Sequence, residues 1–370
     1  MIAKTPSMEI DPLTVVAELP DPFLRPDGTR IATPSEWEAC RASIQSALLR
    51  DEYGHIPPPP ENLSAAEIAS DPLSYGATEK RIRITCGPGG AVQFHLHVIV
   101  PGGHSEPMPV LLVGDRCWGA APIPQEIAAR GYVLAEFDRT EIAPDAPGRD
   151  VGVYPLYPDH DWGAMGAWAW GYHRAVDYLV TQPYVDASRI AVTGHSRGGK
   201  ATLLAGALDE RIALAAPNNS GCGGAAPYRA KSAGAETLEI ILRVFPYWFQ
   251  AQLPAFIGRE DQLPFDQHSL LALVAPRALL ITNALGDLWA DPEGTHQTYL
   301  AAREVFEFFG AGGRIANHYR EGKHAHNADD WRALLDFADH QFFGKDVPTK
   351  FDGAPFTPTL PRFSWRAPRP

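Results

Sequence analysis

From Val92 to Val100 the apolar positions recur with period two. Phe94, Leu96 and Val98 fall on one side and Gln93, His95 and His97 on the other. Such alternation predicts a strand with one buried and one wet face. A second strand is expected over Lys80 to Thr85, and Gly87-Pro88-Gly89-Gly90 joins the two as an antiparallel hairpin at a sheet edge. His95 and His97 lie on the polar face and read as solvated residues rather than metal ligands. Upstream, residues 1–35 read as an extended, proline-punctuated arm. Thr33-Pro34-Ser35-Glu36 has the composition of a helix start, with Pro34 near the first helical position, and the helix runs through Trp37 and Ile44 to about Arg50. Pro57 to Pro60 then stop regular structure.

After Pro109 the pattern becomes alternation of short apolar runs with helical ones. Strands are expected at Val110–Val113, Tyr132–Phe137, Ile190–Val192, Leu214–Pro217, Ala278–Thr282 and Arg314–Tyr319. Helices are expected at Pro124–Arg130, Ala164–Thr181, Ala201–Leu208, Gly294–Gly310 and Asp329–Phe343. A hairpin followed by βα units implies a mostly parallel sheet with helices on both faces, a three-layer αβα sandwich of the α/β-hydrolase type. The chain reads as one such domain over residues 1–370. Residues 1–60 form an N-terminal arm and helix, and 221–270, poor in strand pattern and holding Phe245-Pro246-Tyr247-Trp248-Phe249, form a cap insertion. The loop Asp138–Asp161 is long enough to suggest a functional role.

The sharpest signal is Gly194-His195-Ser196-Arg197-Gly198, placed between a strand and a helix. A G-x-S-x-G in that context has the form of a nucleophile elbow. The serine is left exposed at the start of a helix, whose N-terminus favours negative charge. Both glycines are expected where backbones crowd.

Composition narrows the class. The chain has 370 residues, a formal charge of −12, 45% hydrophobic and 21% charged residues. This fits a globular protein with a sizeable core, and no basic stripe offers a nucleic-acid surface. Cys40, Cys86, Cys117 and Cys222 are widely spaced and form no metal-type pair, leaving free thiols or a disulfide open. No stretch approaches a membrane span and Met1–Pro6 lacks a signal-peptide core, so the chain is expected in the cytoplasm, or outside it if a leader was removed. Histidine spacing suggests no zinc site; neither a metal nor a cofactor is implied. His173, His296 and His340 read as structural or solvated. The expected partner is a small-molecule or polysaccharide substrate, without nucleic acid or membrane, and the chain reads as a monomer.

A serine alcohol needs a base within hydrogen-bond reach and a group to orient that base. In α/β hydrolases the order is serine, acid, histidine, the last two following late strands. Asn283-Ala284-Leu285-Gly286-Asp287-Leu288-Trp289-Ala290-Asp291-Pro292 follows one late strand, and Arg320-Glu321-Gly322-Lys323-His324-Ala325-His326 the other. Asp287 fits the acid better than Asp291, which precedes Pro292 and suits a helix cap. His324 fits the base better than His326 because it follows the Gly322 turn directly.

Gly194-His195-Ser196-Arg197-Gly198-Gly199-Lys200 resembles the G-[CH]-S-R-x-G-K signature of the glucuronoyl esterases, carbohydrate esterase family 15. Asn218 to Ala226, Gly234-Ala235-Glu236-Thr237, Phe245 to Phe249, Arg139 to Asp145 and Asp287 to Pro292 are similar to that family too, in its order, over roughly residues 20–345. The resemblance implies cleavage of the ester between 4-O-methyl-glucuronic acid of xylan and lignin alcohols. It implies that Arg197 serves the oxyanion, Lys200 and Glu236 meet sugar hydroxyls, and Trp248 and Trp289 flank the ring. Two departures from the fungal pattern stand out. Asn219 occupies the position of the fungal triad glutamate, which leaves Asp287 as the acid, as in bacterial members. His195 replaces the cysteine of the fungal disulfide.

Overall fold

The structure, a computed structural model, describes residues 18–356 and 362–369. Residues 1–17 of the expected arm lie outside it. Three strands run antiparallel at one edge of the sheet: β1 (Ser64–Pro72), β2 (Ala77–Cys86) and β3 (Val92–Pro101). The remaining strands are β4 (Met108–Val113), β5 (Val133–Phe137), β6 (Val185–His195), β7 (Ile212–Asn218), β8 (Ala278–Ala284) and β9 (Ile315–Arg320). The order across the sheet is β1-β2-β3-β5-β4-β6-β7-β8-β9, and every pairing from β5 to β9 is parallel. Strand β5 pairs antiparallel with β3, which joins the hairpin end to the parallel part. This is the α/β-hydrolase arrangement that the pattern of the sequence predicts.

The helices are α1 (Trp37–Leu48), α2 (Pro124–Ala129), α3 (Ala164–Leu179), α4 (Arg197–Leu208), α5 (Leu238–Val244), α6 (Gln267–Ala272), α7 (Pro292–Phe308) and α8 (Ala328–Phe343). Neighbouring residues of a strand supply opposite layers. Val110 and Leu112 pack into a core shared with α3, α4, α6 and α7, whereas Leu111 and Val113 pack with α2 and α8. That is why the parallel strands read as unbroken apolar runs: both faces are covered.

Three local expectations change. The β2–β3 hairpin is not the sheet edge, because β1 lies outside it. Strand β1 is exposed nearly throughout, so its sequence has no reason to alternate. Helix α1 ends at Leu48 and passes into a single π turn, Leu49–Tyr53. That turn buries Glu52, which accepts hydrogen bonds from Tyr228 Oη (2.6 Å) and Gln267 Nε2 (2.8 Å) and so ties the N-terminal segment to the 221–270 segment. Third, the 221–270 segment holds two short helices, α5 and α6. The Thr237 and Asp266 side chains cap their first turns, accepting from Ile240 N (3.2 Å) and Gln267 N (2.7 Å). The four cysteines are free thiols, and Cys40, Cys86 and Cys222 are buried. Among the described residues no helix is long and apolar enough to cross a membrane, and no group of His, Cys, Asp and Glu side chains is arranged to hold a metal ion.

Candidate active site

Ser196 stands between β6 and α4 with φ 56° and ψ −120°, a strained conformation for a residue with a side chain. Three constraints hold it there. Ser196 N donates to Asn218 O of the neighbouring strand (2.9 Å), and Lys200 N closes the first helical turn on Ser196 O (3.1 Å). A Cβ on Gly194 would come within 2.6 Å of both Gly198 O and Thr202 Oγ1, and one on Gly198 would overlap the Asp115 carboxylate. Both elbow glycines are therefore required by close approach, but only Gly194 by backbone as expected; at Gly198 the crowding group is the Asp115 side chain.

The loops after β8 and β9 are joined through their main chains. Leu285 N donates to Arg320 O (2.9 Å) and Gly286 N to Gly322 O (2.9 Å). A Cβ on Gly286 would press on that carbonyl at 2.5 Å. This ladder brings Asp287 against His324, with His324 Nδ1 2.5 Å from Asp287 Oδ2. Asn219 Nδ2 donates to the same oxygen (2.7 Å), while Asn219 Oδ1 accepts from Ala284 N (3.0 Å). Burial would raise the Asp287 pKa, but hydrogen bonds from His324 and Asn219 and the charge of His324 outweigh it and hold the carboxyl below its ordinary value. An ionised Asp287 keeps the His324 proton on Nδ1 and leaves Nε2 as an acceptor. Arg320 braces the loop, its guanidinium bonded to the Asp330 carboxylate (2.9 Å) and to Ala325 O (2.6 Å). Among the described residues Ser196 Oγ makes no hydrogen bond to His324; in unliganded hydrolases this contact commonly tightens only with substrate.

Asp291 and His326 are placed elsewhere. Asp291 caps α7, accepting from Gly294 N (2.9 Å). His326 stacks on Trp331 (ring centroids 4.9 Å apart), and burial together with the nearby His195 pushes its pKa down to about 3.

Ser196, His324, Arg197, Lys200, Glu236, Trp248 and Trp289 all line one cleft of about 310 Å³, closed below by Asn219 to Gly221. Arg197 is held tightly. Its guanidinium bonds Asp145 Oδ2 (2.5 Å) and lies 4.9 Å from the Phe245 ring and 4.7 Å from the Trp248 ring, which stack on each other at 3.8 Å. Tyr247 Oη (3.0 Å) and Trp248 Nε1 (2.9 Å) donate to the other oxygen of Asp145. Lys200 is buried, donates to Ser220 O, and has Glu236 Oε2 4.0 Å away. Burial lowers its pKa and the Glu236 charge opposes that. Trp248 is buried, whereas Trp289 is 49% exposed at the rim.

Beside this cleft, Asp115 and Trp118 carry no motif of their own. Asp115, in the turn after β4, accepts from His195 N (2.6 Å) and from the fully buried Arg139. Arg139 in turn lies under the Trp118 ring at 4.2 Å. His195 Nδ1 contacts Asn218 Oδ1 (2.6 Å), and its ring is 4.4 Å from that of His324. Burial, then the His324 charge, pushes the His195 pKa down to about 4. The hydrogen-bonded pairs among them lie 23 to 80 residues apart, so only the fold reveals the pairing.

A family model for fungal glucuronyl esterase matches residues 82–310. A carbohydrate esterase from an unidentified prokaryote is 31% identical, the alignment covering 88% of this chain and 90% of that one. The 4-O-methyl-glucuronoyl methylesterase of Schizophyllum commune is 30% identical over 90% of this chain and 84% of its own. Among solved structures, a carbohydrate esterase family 15 glucuronoyl esterase from Caldicellulosiruptor kristjansonii superposes with a TM-score of 0.85 at 31% identity, covering 96% of this chain and 98% of that one. A mutant glucuronoyl esterase from Sporotrichum thermophile, in complex with methyl 4-O-methyl-β-D-glucopyranuronate, superposes with a TM-score of 0.74 at 27% identity over 91% of this chain and 90% of its own. With its fold and most of its length shared with these proteins, the chain belongs to the glucuronyl esterase family.

Proposed function

We propose that this protein is a serine carboxylesterase that hydrolyses esters of glucuronic acid, including the 4-O-methyl form found in lignin–glucuronoxylan cross-links. The observation that carries the reading is the Asp287–His324 hydrogen bond at the mouth of the same cleft that holds Ser196, Arg197, Lys200 and Glu236. Ser196 Oγ attacks the ester carbonyl while His324 Nε2 takes its proton. The tetrahedral oxyanion is met by the N-terminus of α4, with Arg197 as the nearest cation. As the carbonyl re-forms, the bond to the leaving oxygen breaks, and His324 returns the proton to that oxygen to release the alcohol. Water then attacks the acyl-enzyme, giving its proton to His324. Collapse frees the uronic acid and regenerates the serine hydroxyl. Asp287 orients His324 and stabilises its imidazolium throughout. No cofactor is invoked.

The acyl side of the cleft suits a sugar. Lys200 and Glu236 offer a donor and an acceptor to ring hydroxyls, the Trp248 indole forms a wall, and the half-exposed Trp289 indole offers an apolar face to a pyranose. A plain acyl group would use none of these. The names and ligands of the relatives agree with this choice.

The test is hydrolysis of methyl and benzyl glucuronate beside acetylated xylose and p-nitrophenyl acetate. Turnover of the glucuronate esters, strongly preferred and lost in a folded Ser196→Ala variant, is the expected result. Preference for the acetylated sugar would replace the uronate reading with a deacetylase one.

A further inference from the structure

Strands β4 and β6 pair up to Val113 and Thr193, where their ladder ends. One step on, Gly114 N and Thr193 O are joined through a side chain. The Tyr172 hydroxyl, carried by α3, accepts from Gly114 N (2.7 Å) and donates to Thr193 O (2.9 Å). Thr202 Oγ1 of α4 donates to the same oxygen (3.0 Å). A phenolic hydroxyl has one proton to give and two lone pairs to fill, so these three bonds satisfy it completely.

The surroundings are shaped to that oxygen. Tyr172 and Thr202 are fully buried, and Phe137 meets the Tyr172 ring edge-on at 5.0 Å. A Cβ on Gly114 would lie 2.9 Å from the Tyr172 ring and hydroxyl, and one on Gly194 would lie 2.6 Å from Thr202 Oγ1. Burial, then the Asp115 charge, pushes the Tyr172 pKa up, so the hydroxyl keeps the proton it donates.

Each partner leads to the nucleophile. Thr193 runs through Gly194 and His195 to Ser196, and Thr202 belongs to the helix that Ser196 starts. Gly114 precedes Asp115, whose carboxylate accepts from His195 N (2.6 Å) and fills the space beside Gly198. Toward β7 the elbow is held by main chain, with His195 paired to Asn218 and Ser196 N on Asn218 O (2.9 Å). Toward β4 the ladder has already ended, and the Tyr172 hydroxyl stands in its place. A strained residue such as Ser196 persists only where its neighbours over-determine it. We infer that Tyr172 is a positioning residue for Ser196: its hydroxyl holds the ends of β4 and β6 at the spacing that aims Ser196 Oγ, although Tyr172 does not line the cleft. The inference rests on the reading of Ser196 as nucleophile and holds whichever ester is the substrate.

The experiment uses an alkyl fluorophosphonate, which forms a bond from Ser196 Oγ to phosphorus as fluoride leaves. Its labelling rate per folded molecule is measured beside kcat and KM on a glucuronate ester and on p-nitrophenyl acetate, for the wild type, Tyr172→Phe and Thr202→Val. Tyr132→Phe is the control, because Tyr132 is also buried and loses one hydrogen bond, to Asp339 (2.9 Å), on the other face of the sheet. Tyr172→Phe is expected to slow labelling and to lower kcat on both esters by about 10- to 100-fold, the range between one lost hydrogen bond and a serine displaced by about an ångström. KM should change far less. Tyr132→Phe should lower stability and leave labelling alone. If Tyr172→Phe behaves like that control, with labelling per folded molecule unchanged, the inference is overturned and the reading of Ser196 stands. Should Tyr172→Phe fail to fold, Thr202→Val decides: a fall of about threefold or more supports the inference, and no change overturns it. Wild-type turnover in a folded Ser196→Ala variant removes the nucleophile reading and the inference with it.

Discussion

Asn219 holds the Asp287 carboxylate: its Nδ2 donates to the oxygen, Oδ2, that faces His324, at 2.7 Å. Asn219 is itself fixed from both sides, its main-chain N–H on Thr282 O (2.9 Å) and its Oδ1 on Ala284 N (3.0 Å). A residue that cannot ionise has become a support for the residue that does. Asp287→Asn should lower kcat by several orders of magnitude, near the roughly 10⁴ seen when a triad aspartate is lost. Asn219→Ala removes one hydrogen bond to a charged group, worth about 1.5–3 kcal/mol, and should cost about 10- to 100-fold. Steady-state kinetics on a glucuronate ester check both. Equal losses would mean that Asn219 does more than orient.

Lys200 has two duties. Its ammonium donates to Ser220 O at the floor of the cleft and is the cation nearest the buried Glu236. Lys200→Met should therefore destabilise the protein, by about 3 kcal/mol if Glu236 is left as an unpaired buried charge. It should also lower kcat/KM on glucuronate esters at least tenfold, and do little to p-nitrophenyl acetate once folded enzyme is compared with folded enzyme. Denaturant unfolding and kinetics on the two substrates separate these effects. A loss of the same size on both substrates would assign Lys200 to the support of the elbow rather than to the sugar.

Asp145 is a positioning residue: it closes the stretch Arg139 to Asp145 that resembles the family, but its partners show only in the fold. It receives Arg197, Tyr247 and Trp248 together, so the guanidinium beside the serine has one orientation. Burial would raise its pKa, but those donors and the Arg197 charge more than compensate and the carboxyl stays below its ordinary value. Asp145→Asn keeps an acceptor for Trp248 Nε1 and removes the charge. The expected result is a fall in kcat of about 10- to 100-fold with KM changed far less, because an aimed cation matters most when the oxyanion forms. A purely structural role would show instead as lost stability with kcat per folded molecule intact.

The sequence made some of this visible and hid the rest for physical reasons. Parallel strands buried on both faces are continuous apolar runs, and the elbow glycines stand where a side chain has no room, so both could be read directly. Ser196, Asp287 and His324 follow strands in a fixed order, which placed each in a short loop. Strand β1 was hidden because it is exposed and polar, held by the ladder to β2 rather than by a buried face. Helices α5 and α6 are too short for periodicity and owe their first turns to capping side chains. Trp118 and Asp115 act through partners distant in sequence, and nothing near them in the chain marks the role; Arg139 and Asp145 fall in a stretch similar to the family, but which side chains they hold shows only in the fold.

The two histidines behind His324 make stability depend on acid. His195 and His326 have folded pKa values near 4 and 3, each lowered first by burial and then by a neighbouring histidine, against about 6.5 in an unfolded chain. The unfolded state therefore binds protons that the folded state refuses, and stability is lost as pH falls below about 6.5 until the folded pKa values are reached. Between pH 7 and pH 5 each residue should cost about 1–2 kcal/mol of unfolding free energy. His326→Phe keeps the stack on Trp331 and removes one titrating group, so the loss over that interval should shrink by one such share. Urea unfolding of wild type and variant at the two pH values measures it. An identical pH dependence in the two proteins would mean that His326 takes up its proton in the folded state as readily as in the unfolded one, and that its contact with Trp331 does not exclude the charge.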